Sequence, residues 1–220
     1  MIEAVIFDMD GTLIDSEPMW NEAEKQVFSS LGVDIKEELA VKTASMTTMA
    51  AAEFWYLTSP WVGESISQVA DNVVNKVSEL IVQRGEALPG VLDALAFLSE
   101  KQIKIGLATN APSVLIPVVL NKLNIAHYFS VCCSSEYEKS GKPSPDVYLN
   151  TAAKLNVAPQ NCLAVEDSIT GLCAAEAANM CTLVVPHIDE YHSEKFNHAD
   201  YKLESLKALK SLYLFAENHR

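Results

Sequence analysis

Positive charge is scarce in this sequence. Its 220 residues include 16 Lys and Arg against 29 Asp and Glu, a formal net charge of -13 at pH 7. Nucleic acid and anionic membrane are therefore not expected as partners, because their phosphates would repel the chain. A small anionic substrate stays open, since one metal ion and one lysine can reverse the sign locally. Long apolar runs are missing too, and none approaches the length that crosses a bilayer. Cysteine is sparse: Cys132, Cys133, Cys162, Cys173 and Cys181 form no Cys-x-x-Cys pair. They read as buried free thiols in a reducing compartment. Met1 is followed almost at once by an apolar run, so no secretory leader is expected. These absences lead to the expectation of a cytoplasmic globular protein. Its composition, 49% apolar and 20% charged without a low-complexity tract, suits a chain that buries a proper core.

What is present concentrates in Val5-Ile6-Phe7-Asp8-Met9-Asp10-Gly11-Thr12-Leu13. Residues 2–7 have the length and β-branched content of a buried strand, and Gly11 signals the turn that ends it. Such a strand delivers Asp8 and Asp10 at its carboxyl end, where open α/β sheets hold their ligands. Neighbours at i and i+2 of a strand project together, so the two carboxylates repel unless a cation or a shared proton relieves them. An acidic turn after a strand is the plainer reading. The order apolar strand, Asp-x-Asp-Gly-Thr is far more specific than a bare acidic pair.

From Glu17 to Gly85 the texture is helical. Trp20, Ala23, Val27, Phe28 and Leu31 keep three-four spacing before Gly32; Ile66, Val69, Val73, Val77, Leu80 and Ile81 do so between a Ser65/Gln68 capping box and Gly85. Residues 42–61, with Phe54, Trp55 and Tyr56, are less regular. From Leu88 onward helices and apolar strands alternate: helix 91–100, strand 103–108, helix 113–123, strand 130–134, helix 146–155, strand 162–165, a short helix past Ile169 and strand 182–185. Pro117 requires the helix near 113–123 to start late or to kink. The amphipathic end, 201–214, is expected to pack on the core. The pattern predicts an α/β fold with a doubly wound, Rossmann-like parallel sheet and an inserted α-helical cap. Residues 1–16 and 86–220 would form the core and 17–85 the cap, with linkers near 14–18 and 86–90 that let the cap move as a lid.

Three later strand ends offer partners for the acidic pair. Thr109 lies in Leu107-Ala108-Thr109-Asn110, Lys142 in the turn Ser140-Gly141-Lys142-Pro143, and Glu166-Asp167 in Val165-Glu166-Asp167-Ser168. Singly they read as helix caps or a solvated loop charge. Their shared position, at loop edges of one parallel sheet, points to phosphoryl transfer. A phosphate ester is already anionic, so attack by a carboxylate needs a divalent cation and a lysine to neutralise it, and positioning does most of the rest. Hard oxygen ligands suit Mg²⁺, and Asp8, Asp167 and a backbone carbonyl near Asp10 offer them. Asp8 would attack phosphorus and form an aspartyl phosphate. Asp10 would protonate the departing alkoxide and later take a proton from water, which calls for a pKa above its usual value of about 3.9. The Thr109 hydroxyl would hold a phosphoryl oxygen.

Phe7-Asp8-Met9-Asp10-Gly11-Thr12, Thr109, Lys142-Pro143 and Glu166-Asp167-Ser168 together resemble the four motifs of the haloacid dehalogenase-like (HAD) hydrolase superfamily. The helical insertion between the first two motifs resembles the small α-helical cap of one HAD subclass. Ile14-Asp15-Ser16-Glu17-Pro18, Ser30-Leu31-Gly32-Val33, Phe54-Trp55-Tyr56, and Lys142-Pro143-Ser144-Pro145-Asp146-Val147-Tyr148 are similar to sugar-phosphate phosphatases of the 2-deoxyglucose-6-phosphatase and hexitol phosphatase group. The resemblance implies Asp8 as nucleophile, Asp10 as acid/base, and Mg²⁺ on Asp8, the Asp10 carbonyl and Asp167. It implies phosphate binding by Thr109, Asn110 and Lys142, and makes Glu166 a further metal ligand or an outer-shell group. Such caps usually carry a glycine in the loop that reaches the site; here 43–48 reads Thr-Ala-Ser-Met-Thr-Thr, and Ala44 cannot take positive φ cheaply.

The substrate expected is a small phosphorylated sugar or polyol, and the enzyme a monomer. Glu17, where the chain leaves for the cap, is a candidate for a sugar hydroxyl; as helix N-terminal charge it is worth about 0.3–1 kcal/mol. Two other functions share these residues. A sugar-phosphate mutase resembling β-phosphoglucomutase would return the phosphoryl group to sugar, though Lys42 is the only basic residue in the cap loop region. A phosphosugar-binding regulator that has lost catalysis is disfavoured by the intact Asp8, Asp10, Lys142 and Asp167. A dehalogenase needs no acid at position 10, and a phosphonate hydrolase would want a Schiff-base lysine, for which Lys25, Lys36, Lys42 and Lys76 have no supporting motif. His187, His192 and His198 read as a solvated loop, Cys132-Cys133 as part of a buried strand, and at least two of Trp20, Trp55 and Trp61 as core.

Overall fold

Four apolar residues in a row form the first strand, β1 (Ala4–Phe7), because a central parallel strand meets helices on both faces. A computed structural model describes residues 1–43 and 46–212 of the chain. The remaining strands are β2 (Lys104–Thr109), β3 (Val131–Ser134), β4 (Cys162–Glu166), β5 (Cys181–Val184) and β6 (Tyr201–Lys202). They make one six-stranded sheet of order β3-β2-β1-β4-β5-β6, parallel at every pairing. The order reverses at β1, which lies between β2 and β4, and ligands of open α/β sheets bind at such a reversal.

Strand alternation divides the core in two. Val5, Phe7, Ile105, Leu107, Leu163 and Val165 face one side, where they share a cluster with α5 (Val91–Glu100) and α6 (Leu115–Lys122). Ala4, Ile6, Ala108, Cys162 and Ala164 face the other, packed on α7 (Asp146–Leu155) and α8 (Ile169–Ala177). Pro117 is the third residue of α6, so the helix starts late and keeps the proline in its first turn. The amphipathic end contributes β6 and a 3₁₀ turn, Leu206–Ser211, whose buried Leu206 and Leu209 seat it on the core. Residues 213 and 214 of that expected segment lie outside the described residues.

Between β1 and α5 the chain inserts four helices: α1 (Glu17–Ser30), α2 (Glu37–Thr43), α3 (Thr48–Thr58) and α4 (Ile66–Arg84). The irregular stretch expected at 42–61 is corrected here: it contains α3, capped by Thr47, whose hydroxyl accepts from the Ala50 N–H at 3.3 Å. Its sequence is apolar on nearly every side, which erases the helical period. Trp55 and Trp61 are buried against Phe28 at ring-centroid distances of 6.0 and 5.9 Å, and Val69, Val73, Val77 and Ile81 of α4 join them in a cluster continuous with the α5 and α6 side of the sheet core. Ser65 and Gln68 form the expected capping box. The strands of chain entering and leaving the insertion run side by side: Ile14 and Ala87 form an antiparallel bridge, and the Leu88 N–H donates to the Leu13 carbonyl at 3.1 Å.

Candidate active site

β1 stops at Phe7, level with Leu107 of β2 and Val165 of β4, so the residues just past these strands crowd one edge of the sheet. Asp8 is fixed there by its own N–H, which donates to the Val165 carbonyl at 2.9 Å. Lys142 reaches the same point from the loop before α7. Its buried ammonium donates to Asp8 Oδ1 at 2.5 Å, Glu166 Oε1 at 2.7 Å and the Ala108 carbonyl at 2.9 Å. Asn110 holds that loop: its Oδ1 accepts from the Lys142 N–H at 2.8 Å and its Nδ2 donates to the Lys142 carbonyl at 3.3 Å. The Tyr148 hydroxyl donates to Glu166 Oε1 at 2.6 Å, and Ser168 Oγ donates to Glu166 Oε2 at 3.2 Å. Both Glu166 oxygens are thus engaged in orienting Lys142 and its surroundings. Thr109 is buried; its Oγ1 accepts from the Ala111 N–H at 3.0 Å, which leaves the O–H to donate.

Asp10 points elsewhere. Its Oδ1 accepts from Ser16 Oγ at 2.5 Å and from Trp20 Nε1 at 3.1 Å, so the entry to α1 holds this carboxyl. Asp167 stands across from it, pressed on Gly11. A side chain at position 11 would place its Cβ 2.1 Å from Asp167 Oδ2, and Gly11 has φ +79°, so glycine is required there on two counts. Carboxylate oxygens of Asp8, Glu166 and Asp167 lie within 4.8 Å of one another.

The electrostatics follow from burying several carboxyls around a single ammonium. Burial raises Asp8 well above the usual carboxyl range; Lys142 opposes it, while Glu166 and Asp167 add to it. Burial and then Glu166 push Asp167 up to about 8, against the pull of Lys142. Burial also raises Asp10, opposed by the Ser16 and Trp20 hydrogen bonds. Burial alone would lower Lys142, but Asp8 and Glu166 outweigh it and hold the ammonium charged. Carboxyls held this far up gather hard oxygen donors with too little positive charge, and that donor set fits a divalent cation. Asp8 keeps one oxygen clear of Lys142, and the Asp167 carboxylate meets no side-chain donor among the described residues, so these two groups are the ones free to take it.

A cavity of about 250 Å³ opens above this cluster. Asp8, Asp10, Thr109, Asn110, Lys142 and Asp167 form its floor; Glu17, Trp20, Asn21 and Glu24 of α1, with Thr43, Met46 and Thr48, form its roof. Every expected site residue except Glu166 therefore lines one space, and Glu166 stands directly behind Lys142. The expected cap loop is described only in part, since Ala44 and Ser45 lie outside the described residues. Ser16, Trp20 as a partner of Asp10, Tyr148 and Glu24 were missed from sequence. The helical spacing 17, 20, 21, 24 was the available signal for Glu24, because it sets those four residues on one face.

The description "haloacid dehalogenase-like hydrolase" is that of a hydrolase family matched by residues 2–179. The chain belongs to this family. Hexitol phosphatase B of Escherichia coli (strain K12) is 40% identical to this HAD-like hydrolase over 209 residues, 94% of each chain. Among solved structures, CbbY from Rhodobacter sphaeroides in complex with phosphate superposes with a TM-score of 0.85 at 27% identity, covering 95% of this chain and 96% of that one. β-Phosphoglucomutase from Clostridium difficile does so with a TM-score of 0.82 at 28% identity, covering 96% and 94%. The α/β core with an inserted helical cap is shared with these HAD relatives. No helix among the described residues is long and apolar enough to cross a membrane. His187, His192 and His198 are exposed; the five cysteines are free, Cys133 and Cys162 buried and Cys132, Cys173 and Cys181 only partly so, against the expectation of buried thiols throughout. Trp55 and Trp61 are core, and Trp20 faces the cavity.

Proposed function

We propose that this HAD-like hydrolase is a Mg²⁺-dependent phosphatase that hydrolyses a small sugar or polyol phosphate through an aspartyl-phosphate intermediate. The observation that carries the reading is the Lys142 ammonium on Asp8 at 2.5 Å, with Thr109 and Asp167 lining the same cavity. An Asp8 carboxylate oxygen attacks phosphorus, and the ester oxygen leaves with a proton from Asp10. Asp10 then takes a proton from water as that water attacks the phosphorus, and the bond to Asp8 breaks to release phosphate. The raised pKa of Asp10 suits the acid role. Lys142 and the Thr109 hydroxyl bind phosphoryl oxygens, and Asn110 positions Lys142. Asp8, Asp167 and the Asp10 carbonyl would hold the metal, with Glu166 behind them as the partner of Lys142. When bound, the ion supplies positive charge to the phosphoryl oxygens.

Residues 17–85 act in this proposal as a cap that closes on a core of 1–16 and 86–220, the paired linkers serving as hinge and the closed cap excluding water. The enzyme would work as a cytoplasmic monomer. The test is phosphate release from hexitol phosphates and from p-nitrophenyl phosphate, with Mg²⁺ and with a chelator. Turnover is expected only with the metal, and Asp8→Asn should lower kcat by about 10⁴ or more. Undiminished hydrolysis by Asp8→Asn would remove the nucleophile. A mutase is the second reading, favoured by the likeness to the Clostridium difficile structure. Comparing free phosphate with isomerised sugar phosphate separates the two.

A further inference from the structure

The roof of the cavity has a charge pattern that the floor chemistry does not use. Lys142 is the sole cation among the described residues that line the cavity, and it lies at the floor on Asp8. The roof carries Glu17 and Glu24 with the uncharged Trp20, Asn21, Met46 and Thr48. Glu24 is half-buried, and its carboxyl meets no hydrogen-bond or ion-pair partner among the described residues. A half-buried carboxyl without a protein donor is poorly solvated, and a ligand hydroxyl can supply the missing donor.

We propose that Glu24 is the specificity-determining residue of this site: it accepts a hydrogen bond from a hydroxyl at the far end of an uncharged polyol chain, and it rejects substrates that carry a second phosphate. The inference rests on the phosphatase reading above and narrows its substrate to monophosphates with a neutral, hydroxyl-rich body. Glu24 follows Glu17 by seven residue steps of helix, about 10 Å at 1.5 Å per residue, so Glu24 stands well along α1 from the point where the chain leaves the floor. A substrate with its phosphate on Lys142 and Thr109 directs its other end toward this face. A hydroxyl there gives the carboxyl a charge-assisted hydrogen bond. A second phosphate meets two acidic side chains and no cation, and like charges brought together discriminate against it. Burial raises the Glu24 acid to about 7, which marks a carboxyl poorly solvated before any ligand arrives. The same pattern weighs against isomerisation: a phospho-enzyme that hands its phosphoryl group to a sugar monophosphate makes a bisphosphate, which this roof repels.

Wild-type enzyme, Glu24→Gln and Glu24→Ala are compared by kcat/KM on sorbitol 6-phosphate, mannitol 1-phosphate and 2-deoxyglucose 6-phosphate, on p-nitrophenyl phosphate, which lacks the hydroxyl chain, and on fructose 1,6-bisphosphate. Wild type should prefer its best monophosphate over the bisphosphate by about 100-fold or more. In both variants the ratio of kcat/KM on that monophosphate to kcat/KM on the aryl phosphate should fall by about tenfold or more, through KM, and the preference over bisphosphate should narrow by a similar factor. Ratios that stay at their wild-type values, or an equal loss on every substrate, overturn the assignment of Glu24 while leaving the phosphatase reading intact. Wild-type enzyme inert toward the whole panel overturns that reading and the inference with it.

Discussion

Lys142 joins more of the site than any other side chain: its ammonium touches Asp8, Glu166 and the Ala108 carbonyl, and its backbone is held by Asn110. Lys142→Met leaves Asp8 and Glu166 buried without their counter-charge. Removing one partner of a buried ion pair costs about 3–5 kcal/mol, and loss of a phosphoryl-binding charge lowers kcat by about 10³. Urea denaturation and phosphate release check the two effects separately. Glu24 gives the opposite case. Its ordinary value is 4.5 and its folded value about 7, so between them the folded chain keeps a proton that the unfolded chain has released. Stability therefore falls as pH rises through that window and stays lower above it. Glu24→Gln should melt higher than wild type by about 2–4 °C near pH 8, a gain of order 1 kcal/mol after discounting for partial solvation, and at the same temperature as wild type near pH 4. The motif residues were legible because β1 and the later strand ends put them at predictable places. The Ser16 and Trp20 bonds to Asp10, and Tyr148 on Glu166, join segments by tertiary packing, which no local pattern encodes.

Among the elements, α4 shows how much of the cap is written locally. Ser65 accepts from the Gln68 N–H at 3.3 Å, the Ser65 N–H donates to Gln68 Oε1 at 2.9 Å, and a valine-rich stripe follows at helical spacing. Ser65→Ala should cost about 1 kcal/mol, or 2–4 °C in Tm, while kcat/KM at 25 °C is retained, because neither Ser65 nor Gln68 lines the cavity. A thermal melt and a steady-state assay decide it; a loss of activity at full stability would mean that α4 is coupled to the site. The neighbouring α3 escaped sequence reading for a physical reason. Ala51, Ala52 and Trp55 are buried and Phe54 packs on the same cluster, so the helix has too little polar surface to display a period. β6 escaped because two residues are too few to alternate. The other five strands were legible, since each is a short, largely apolar run between turn signals, and only their order had to come from the fold.

For the whole molecule, the decisive quantity is the distribution of negative charge. A net charge of -13 is ordinary if spread over solvent, but Asp8, Asp10, Glu166 and Asp167 are drawn to one sheet edge around Lys142. Folding without a further cation works against that concentration. A divalent cation that binds only the folded chain should stabilise it by about 2.7 kcal/mol at one hundred times its Kd, a rise of roughly 5–10 °C in Tm. Differential scanning calorimetry with MgCl₂, against NaCl at equal ionic strength, measures the shift. Screening of the overall charge acts alike on every variant and in both salts. Binding at the site does not, so Asp167→Asn should lose most of the magnesium-specific rise while keeping the response to NaCl. If Asp167→Asn keeps the full rise, the ion binds elsewhere on the folded chain, and the acidic cluster at the end of β1 is not where the metal sits.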